Sequence, residues 1–221
     1  MKRYVLIAFC IVVMFSAEVP LKALESVQWL ARGGMIFFPE NNGLESDPSP
    51  LLATAGAATQ LSFFDFLALE ISLDFYGTHY GYSNTLNRAV PLAIENRSAM
   101  VYGSVLGIQA VLMLKPLDSW TIRMYAGPAI DARLSLIAGG LNDADLADAA
   151  DQTSKVSSYF WNMGRWFYPT AGIGMDFTAF DNVLLGFDLR TWFPVYKLWT
   201  NENLPPINGW RFGAGFTITF L

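Results

Sequence analysis

The chain closes on Trp210-Arg-Phe-Gly-Ala-Gly-Phe-Thr-Ile-Thr-Phe-Leu221, twelve residues that alternate without a break. Trp210, Phe212, Ala214, Phe216, Ile218 and Phe220 fall on one face, and Arg211, Gly213, Gly215, Thr217, Thr219 and Leu221 on the other. A β-strand projects successive side chains to opposite sides, so this is a ribbon with one apolar face and one polar or small face. A soluble sandwich would bury the apolar face. A membrane barrel would turn it to lipid, and an aromatic close to the terminus suits the closing strand of such a barrel.

Working outward from that strand, eight candidate strands can be laid down, at 26–38, 52–63, 66–77, 99–114, 120–136, 166–178, 183–197 and 209–221. The connections alternate in length. Residues 39–51, 78–98, 137–165 and 198–208 are long; 64–65, 115–119 and 180–182 are short. Long outer loops and short periplasmic turns are the plan of an outer-membrane barrel, and they place both termini in the periplasm. A sandwich has no reason to segregate its loop lengths in this way.

The faces agree with that plan. Trp120, Ile122, Met124, Ala126, Pro128, Ile130, Ala132 and Leu134 oppose Thr121, Arg123, Tyr125, Gly127, Ala129, Asp131 and Arg133. Leu67, Leu69, Ile71, Leu73 and Phe75 oppose Ala68, Glu70, Ser72, Asp74 and Tyr76. Charges recur opposite the apolar face, as a lipid-out, polar-in wall requires. Pro128 predicts a local bulge, because proline cannot donate to a ladder. The uncharged segment 99–114 admits a second reading as a membrane helix, since Gly103 and Gly107 have small-xxx-small spacing. Sixteen residues are short for such a span, and the smaller odd positions suit an inward strand face.

The N-terminus fits export. Met1-Lys2-Arg3 precedes an apolar run from Tyr4 to Phe15 and small or polar residues up to Ala23, the layout of a secretory signal peptide. The expected organisation is a signal peptide over 1–23 and a barrel over 24–221. Cys10, the sole cysteine, sits mid-run behind Phe9, which argues against a lipoprotein site. Cleavage after Ala23 takes Lys+Arg from 14 to 11 and Asp+Glu from 19 to 18, leaving a cysteine-free chain of net charge −7. That acidic balance argues against nucleic acid as a partner.

The inward charges are Arg32, Arg123, Arg133, Arg190 and Arg211 against Glu70, Asp74, Asp131, Asp176 and Asp188. An eight-stranded barrel is just wide enough for side chains to fill it, and charges there are costly unless paired. Five against five predicts a lumen charge network, which either stiffens the barrel or forms a polar floor or gate. Toward the outer mouth the inward residues become Ile36, Phe38, Tyr76, Val101, Val105, Tyr168, Trp192 and Tyr196. These predict an apolar vestibule for small hydrophobic solutes. The plainer alternative is that they fill the barrel or belong to an interfacial girdle.

A signal peptide, eight strands, four longer outer loops and an apolar lumen mouth together resemble the OmpW-type small outer-membrane β-barrels. The resemblance covers the whole mature chain and rests on architecture. It implies an all-β, transmembrane, eight-stranded antiparallel up-and-down barrel in the outer membrane of a diderm bacterium, surrounded by lipid and folded by the barrel-assembly machinery. It also implies uptake of small hydrophobic molecules through a lumen blocked below, with lateral exit into the bilayer. The family pattern ends on an aromatic residue, whereas Leu221 follows Phe220 here.

Other chemistry finds little footing. Asp143, Asp145, Asp148 and Asp151 lie in the third outer loop, where Asn142 can cap a short helix whose first turn favours acids. Their spacing lacks the glycine and terminal glutamate of a calcium loop. No metal and no cofactor is expected. His79, with Ser83 nearby, is the only histidine and carries no catalytic motif, so no enzyme is expected. The leading expectation is a porin-like barrel for uptake of small hydrophobic molecules. The rival is a closed structural barrel whose loops bind a partner, host component or other surface ligand.

Overall fold

A computed structural model of the protein describes residues 24–39, 50–80, 99–117, 119–137, 149–180, 182–200 and 209–220. The expected signal peptide over 1–23, Ser83, Asn142, Asp143, Asp145, Asp148 and Leu221 lie outside these. Nine strand segments follow the chain: β1 Ser26–Phe37, β2 Leu51–Phe64, β3 Leu67–Tyr80, β4 Ala99–Leu117, β5 Trp120–Gly127, β6 Ala129–Ile137, β7 Thr170–Phe180, β8 Val183–Trp192 and β9 Arg211–Phe220. Each neighbouring pair is antiparallel, and β9 returns to β1 in register from Trp29↔Phe220 to Phe37↔Phe212. Contact of β3 with β4, from Leu67↔Leu112 to Tyr80↔Ala99, completes the ring. Because β5 and β6 are two halves of one wall, the result is a closed eight-stranded antiparallel barrel. The helical alternative for 99–114 is thereby excluded.

Strand five is where the structure departs most from expectation. Pro128 divides it rather than merely bulging it. Lacking an N–H, Pro128 contributes only its carbonyl, which accepts Ile108 N at 3.0 Å. Both halves keep pairing with β4, and the in–out alternation carries across the break. The opposite edge changes partner. Trp120 to Gly127 pair with β7, but Ala129 and Asp131 bond instead to Tyr168 and Trp166, residues that precede Pro169 and β7. The expected strand 166–178 therefore begins only at Thr170.

Three further corrections concern ends. The expected strand 183–197 stops at Trp192, after which the chain turns through Phe193–Tyr196 into a single helical turn, Lys197–Thr200. Tyr168 and Tyr196 are thus not strand residues. His79, expected on a loop, lies within β3 opposite Met100 and on the outward face. A helix, α1, spans Ala149–Trp161, with Asp151 in its first turn; the start of the short helix expected from Asn142 lies outside the described residues.

The wall is apolar outside and polar within. Trp29, Phe75, Leu134, Ile173, Phe187 and Phe216 are among the large apolar residues exposed on the outer surface. Buried inside are Gln60, Glu70, Gln109, Arg123, Asp131 and Arg211. A water-soluble fold would reverse this arrangement, because exposed apolar surface on such a scale is unfavourable in water.

Candidate functional site

Inward positions on the strands stack two layers in the lumen. The lower is built around Glu70 of β3, whose side chain is fully buried. Its Oε1 lies 3.3 Å from Arg32 Nη1 and accepts from Arg190 Nη2 at 2.9 Å, while Oε2 lies 3.4 Å from Arg123 Nη1. Arg123 also spans the Asp176 carboxylate, donating through Nη2 to Oδ1 at 2.9 Å with Nε 2.7 Å from Oδ2. Arg190 Nε donates to Asp188 Oδ1 at 3.0 Å, and Arg32 reaches Asp74 at 3.3 Å and Asp188 at 3.9 Å. Gln109 Oε1 accepts from Arg190 Nη1 at 3.3 Å. These groups belong to six different strand segments.

A second group of charges lies nearer the long loops. Asp131 accepts from Arg211 Nη2 at 2.6 Å and from the Tyr76 hydroxyl at 3.0 Å, and Arg133 Nε lies 3.2 Å away. All ten charges singled out from the sequence are therefore in ion pairs: Arg32, Glu70, Asp74, Arg123, Asp131, Arg133, Asp176, Asp188, Arg190 and Arg211.

The upper layer is apolar. Ile36, Phe38, Tyr76, Val101, Val105, Tyr168, Trp192 and Tyr196 form one buried cluster, together with Leu52 and Ala129. Tyr168 and Tyr196 reach it from the segments flanking Pro169 and Pro194, not from strands. Burial pushes the Tyr196 phenol above its ordinary pKa. The charges meet the apolar layer through a ring on a guanidinium, Arg211 lying 4.1 Å from the Tyr168 ring centre, whereas Arg190 lies 4.5 Å from the ring centre of Tyr125, which belongs to a separate buried cluster with Ala68, Val111 and Met113.

What the sequence reading missed is that this chamber is filled. Val156 and Phe160 of α1, at 0% and 1% exposure, belong to the same cluster. Phe160 sits under the Arg133 guanidinium at 4.4 Å, Arg133 Nη2 donates to the Arg165 carbonyl at 2.6 Å, and the Ser135 and Ser157 hydroxyls are 3.4 Å apart. Among the described residues α1 packs chiefly on the lumen face of β6, and its Val156 and Phe160 act as a stopper in the apolar mouth. The signal available was the i,i+4 spacing of Val156 and Phe160, which places them on one helix stripe. Arg165, buried and 4.1 Å from the Tyr159 ring centre, offered no comparable signal. Among the described residues, no group of three or more His, Cys, Asp or Glu side chains is arranged for a metal ion.

Fold and site together define a closed barrel with an inverted surface, a charge-paired lumen and a helix-stoppered apolar mouth. No family model matches the sequence, and no curated protein matches it either. Solved structures similar to it include the outer membrane protein OprG from Pseudomonas aeruginosa, at 10% identity and TM-score 0.49, covering 88% of this chain and 96% of that one. Neisserial surface protein A is similar at 11% identity and TM-score 0.43, covering 88% and 94%. A de novo designed transmembrane β-barrel is similar at 9% identity and TM-score 0.42, covering 87% and 93%. Likenesses this distant carry no argument about activity, and the barrel rests on its own strand pairing.

Proposed function

We propose that the chain is an outer-membrane barrel that admits small hydrophobic molecules at its outer mouth, and that α1 must withdraw for them to enter. The observation carrying this reading is the convergence of eight apolar or aromatic residues on one chamber directly above a paired charge layer. The stopper occupies that chamber with apolar side chains, Val156 and Phe160, and an apolar solute would replace them on similar terms. The rival reading, a closed barrel acting through its loops, draws support from the same filled mouth. Uptake of an apolar solute into proteoliposomes, together with conductance in planar bilayers, separates the two. Absence of both leaves the closed barrel.

Membrane residence has its own test. Phe216 is 70% exposed, points outward midway along β9 and packs edge-on against Phe187 at 5.7 Å. Phe216→Arg is expected to destabilise the barrel by roughly 2–4 kcal/mol in lipid vesicles, the penalty for a cation near the bilayer midplane. Urea unfolding checks this, and an unchanged midpoint would count against a lipid-facing wall. For the chamber, Trp192→Ala is expected to lower uptake while the protein keeps its heat-modifiable gel mobility. Uptake equal to wild type would remove Trp192 from the path.

A further inference from the structure

After α1 the chain turns sharply through Asn162–Gly164, where two successive residues have positive φ, Met163 at 55° and Gly164 at 79°. Met163 is the one non-glycine residue with positive φ among the described residues. Helices commonly end on a left-handed residue, and glycine is the usual choice because a Cβ is strained there. Methionine carries that strain whenever α1 is seated in the mouth. Strain of this kind gathers at switching segments.

The two sides of the turn are held differently. Beyond it, residues 166–168 belong to the wall. Asp131 N donates to the Trp166 carbonyl at 2.7 Å, and Ala129 and Tyr168 exchange two N–H···O bonds of 2.9 Å. Before it, α1 meets the lumen through the side chains of Val156, Ser157 and Phe160. Backbone pairing fixes the far side, while side-chain packing can be left and regained.

Two side chains reach across the turn. Arg165 Nη1 donates to the carbonyls of Tyr159 at 3.4 Å and Asn162 at 3.3 Å, tying the end of α1. Trp199, on the single turn Lys197–Thr200, donates through Nε1 to the Met163 carbonyl at 3.0 Å. Its ring lies against Gly164, where an added Cβ would stand 3.2 Å from Cζ2. Trp199 is nevertheless 58% exposed and Met163 65%, so neither residue is there to fill a core.

From this juxtaposition we infer that Met163–Gly164 is the pivot on which α1 swings out of the mouth, and that Trp199 is the clasp that holds it shut. This deepens the uptake reading and rests on it.

The test uses the full mature barrel in lipid nanodiscs with Val156→Cys as a probe, since Val156 is fully buried when α1 is seated. Its rate of reaction with iodoacetamide reads the fraction of time α1 is out. Trp199→Phe, which loses the indole N–H, is expected to raise that rate roughly two- to fivefold, the worth of one hydrogen bond. Met163→Gly relieves the strain of the seated form and is expected to lower it by roughly the same factor. The Tyr168 amide, bonded to Ala129, should keep its protection from hydrogen exchange in both variants. Rates unchanged in both, or moving in the same direction, overturn the pivot and clasp. Tyr168 losing protection in step with the labelling overturns them too, because the wall segment would then leave with the helix. Uptake of naphthalene into proteoliposomes, measured alongside, separates the two readings. Labelling that shifts as expected while uptake stays constant keeps the pivot and overturns entry beneath α1. A probe that never reacts in any variant overturns both.

Discussion

Glu70→Ala is expected to destabilise the folded barrel by roughly 3–5 kcal/mol, the range for removing one member of a buried ion pair. The effect should fall at the upper end, because Glu70 faces Arg32, Arg123 and Arg190 at once and is fully buried. Three guanidiniums would be left around a methyl group with no water to solvate them. Glu70→Gln keeps an acceptor without the charge and should fall between wild type and alanine. Adding Arg190→Met to Glu70→Gln should recover none of the loss, since Arg190 also donates to Asp188 Oδ1 at 3.0 Å and its removal strands that carboxylate. Urea unfolding in lipid vesicles, read by gel mobility, measures the series. A Glu70→Ala midpoint equal to wild type would mean that the lumen is wet enough to solvate the arginines.

The second large effect concerns the stopper. Ser135→Cys with Ser157→Cys is expected to form a disulfide that pins α1 to β6, since the two hydroxyls already lie 3.4 Å apart on side chains that face one another. The only native cysteine is Cys10, within the segment expected to be cleaved, so no competing thiol is anticipated in the mature chain. Oxidised, the double variant should take up apolar solute no faster than protein-free vesicles; reduction should restore wild-type uptake. Full uptake in the oxidised form would show that solutes do not pass beneath the helix. Phe160→Ala is the complementary change, loosening the stopper without locking it.

Period-two alternation made the barrel legible, and for the same reason it made the inward charges legible. A strand residue's face follows from its parity, so Arg123 and Asp131 could be assigned inward without knowing their neighbours. Their partners could not be read. Glu70 and Arg190 are 120 residues apart, and their meeting depends on the stagger of strands around the ring, which no local pattern encodes. Pro128 was visible as an anomaly, but its consequence depended on Pro169 and the 166–168 segment taking over the edge of β6. Tyr168 and Tyr196 were assigned to the mouth through strands they do not occupy. Their inward placement comes from the chain folding back over the rim at Pro169 and Pro194. The stopper was hidden for a different reason: an amphipathic loop helix looks alike whether its apolar stripe meets a lumen, a partner or a membrane.

The ion pairs around Glu70 also bear on how the chain reaches its final state. Their members come from strands at both ends of the sequence, with Arg32 on β1 and Arg190 on β8, so the set is complete only once the sheet has closed on itself. A half-formed sheet would carry these charges unmatched and would be repelled by hydrocarbon. Closure of the ring and matching of the lumen charges are therefore one event.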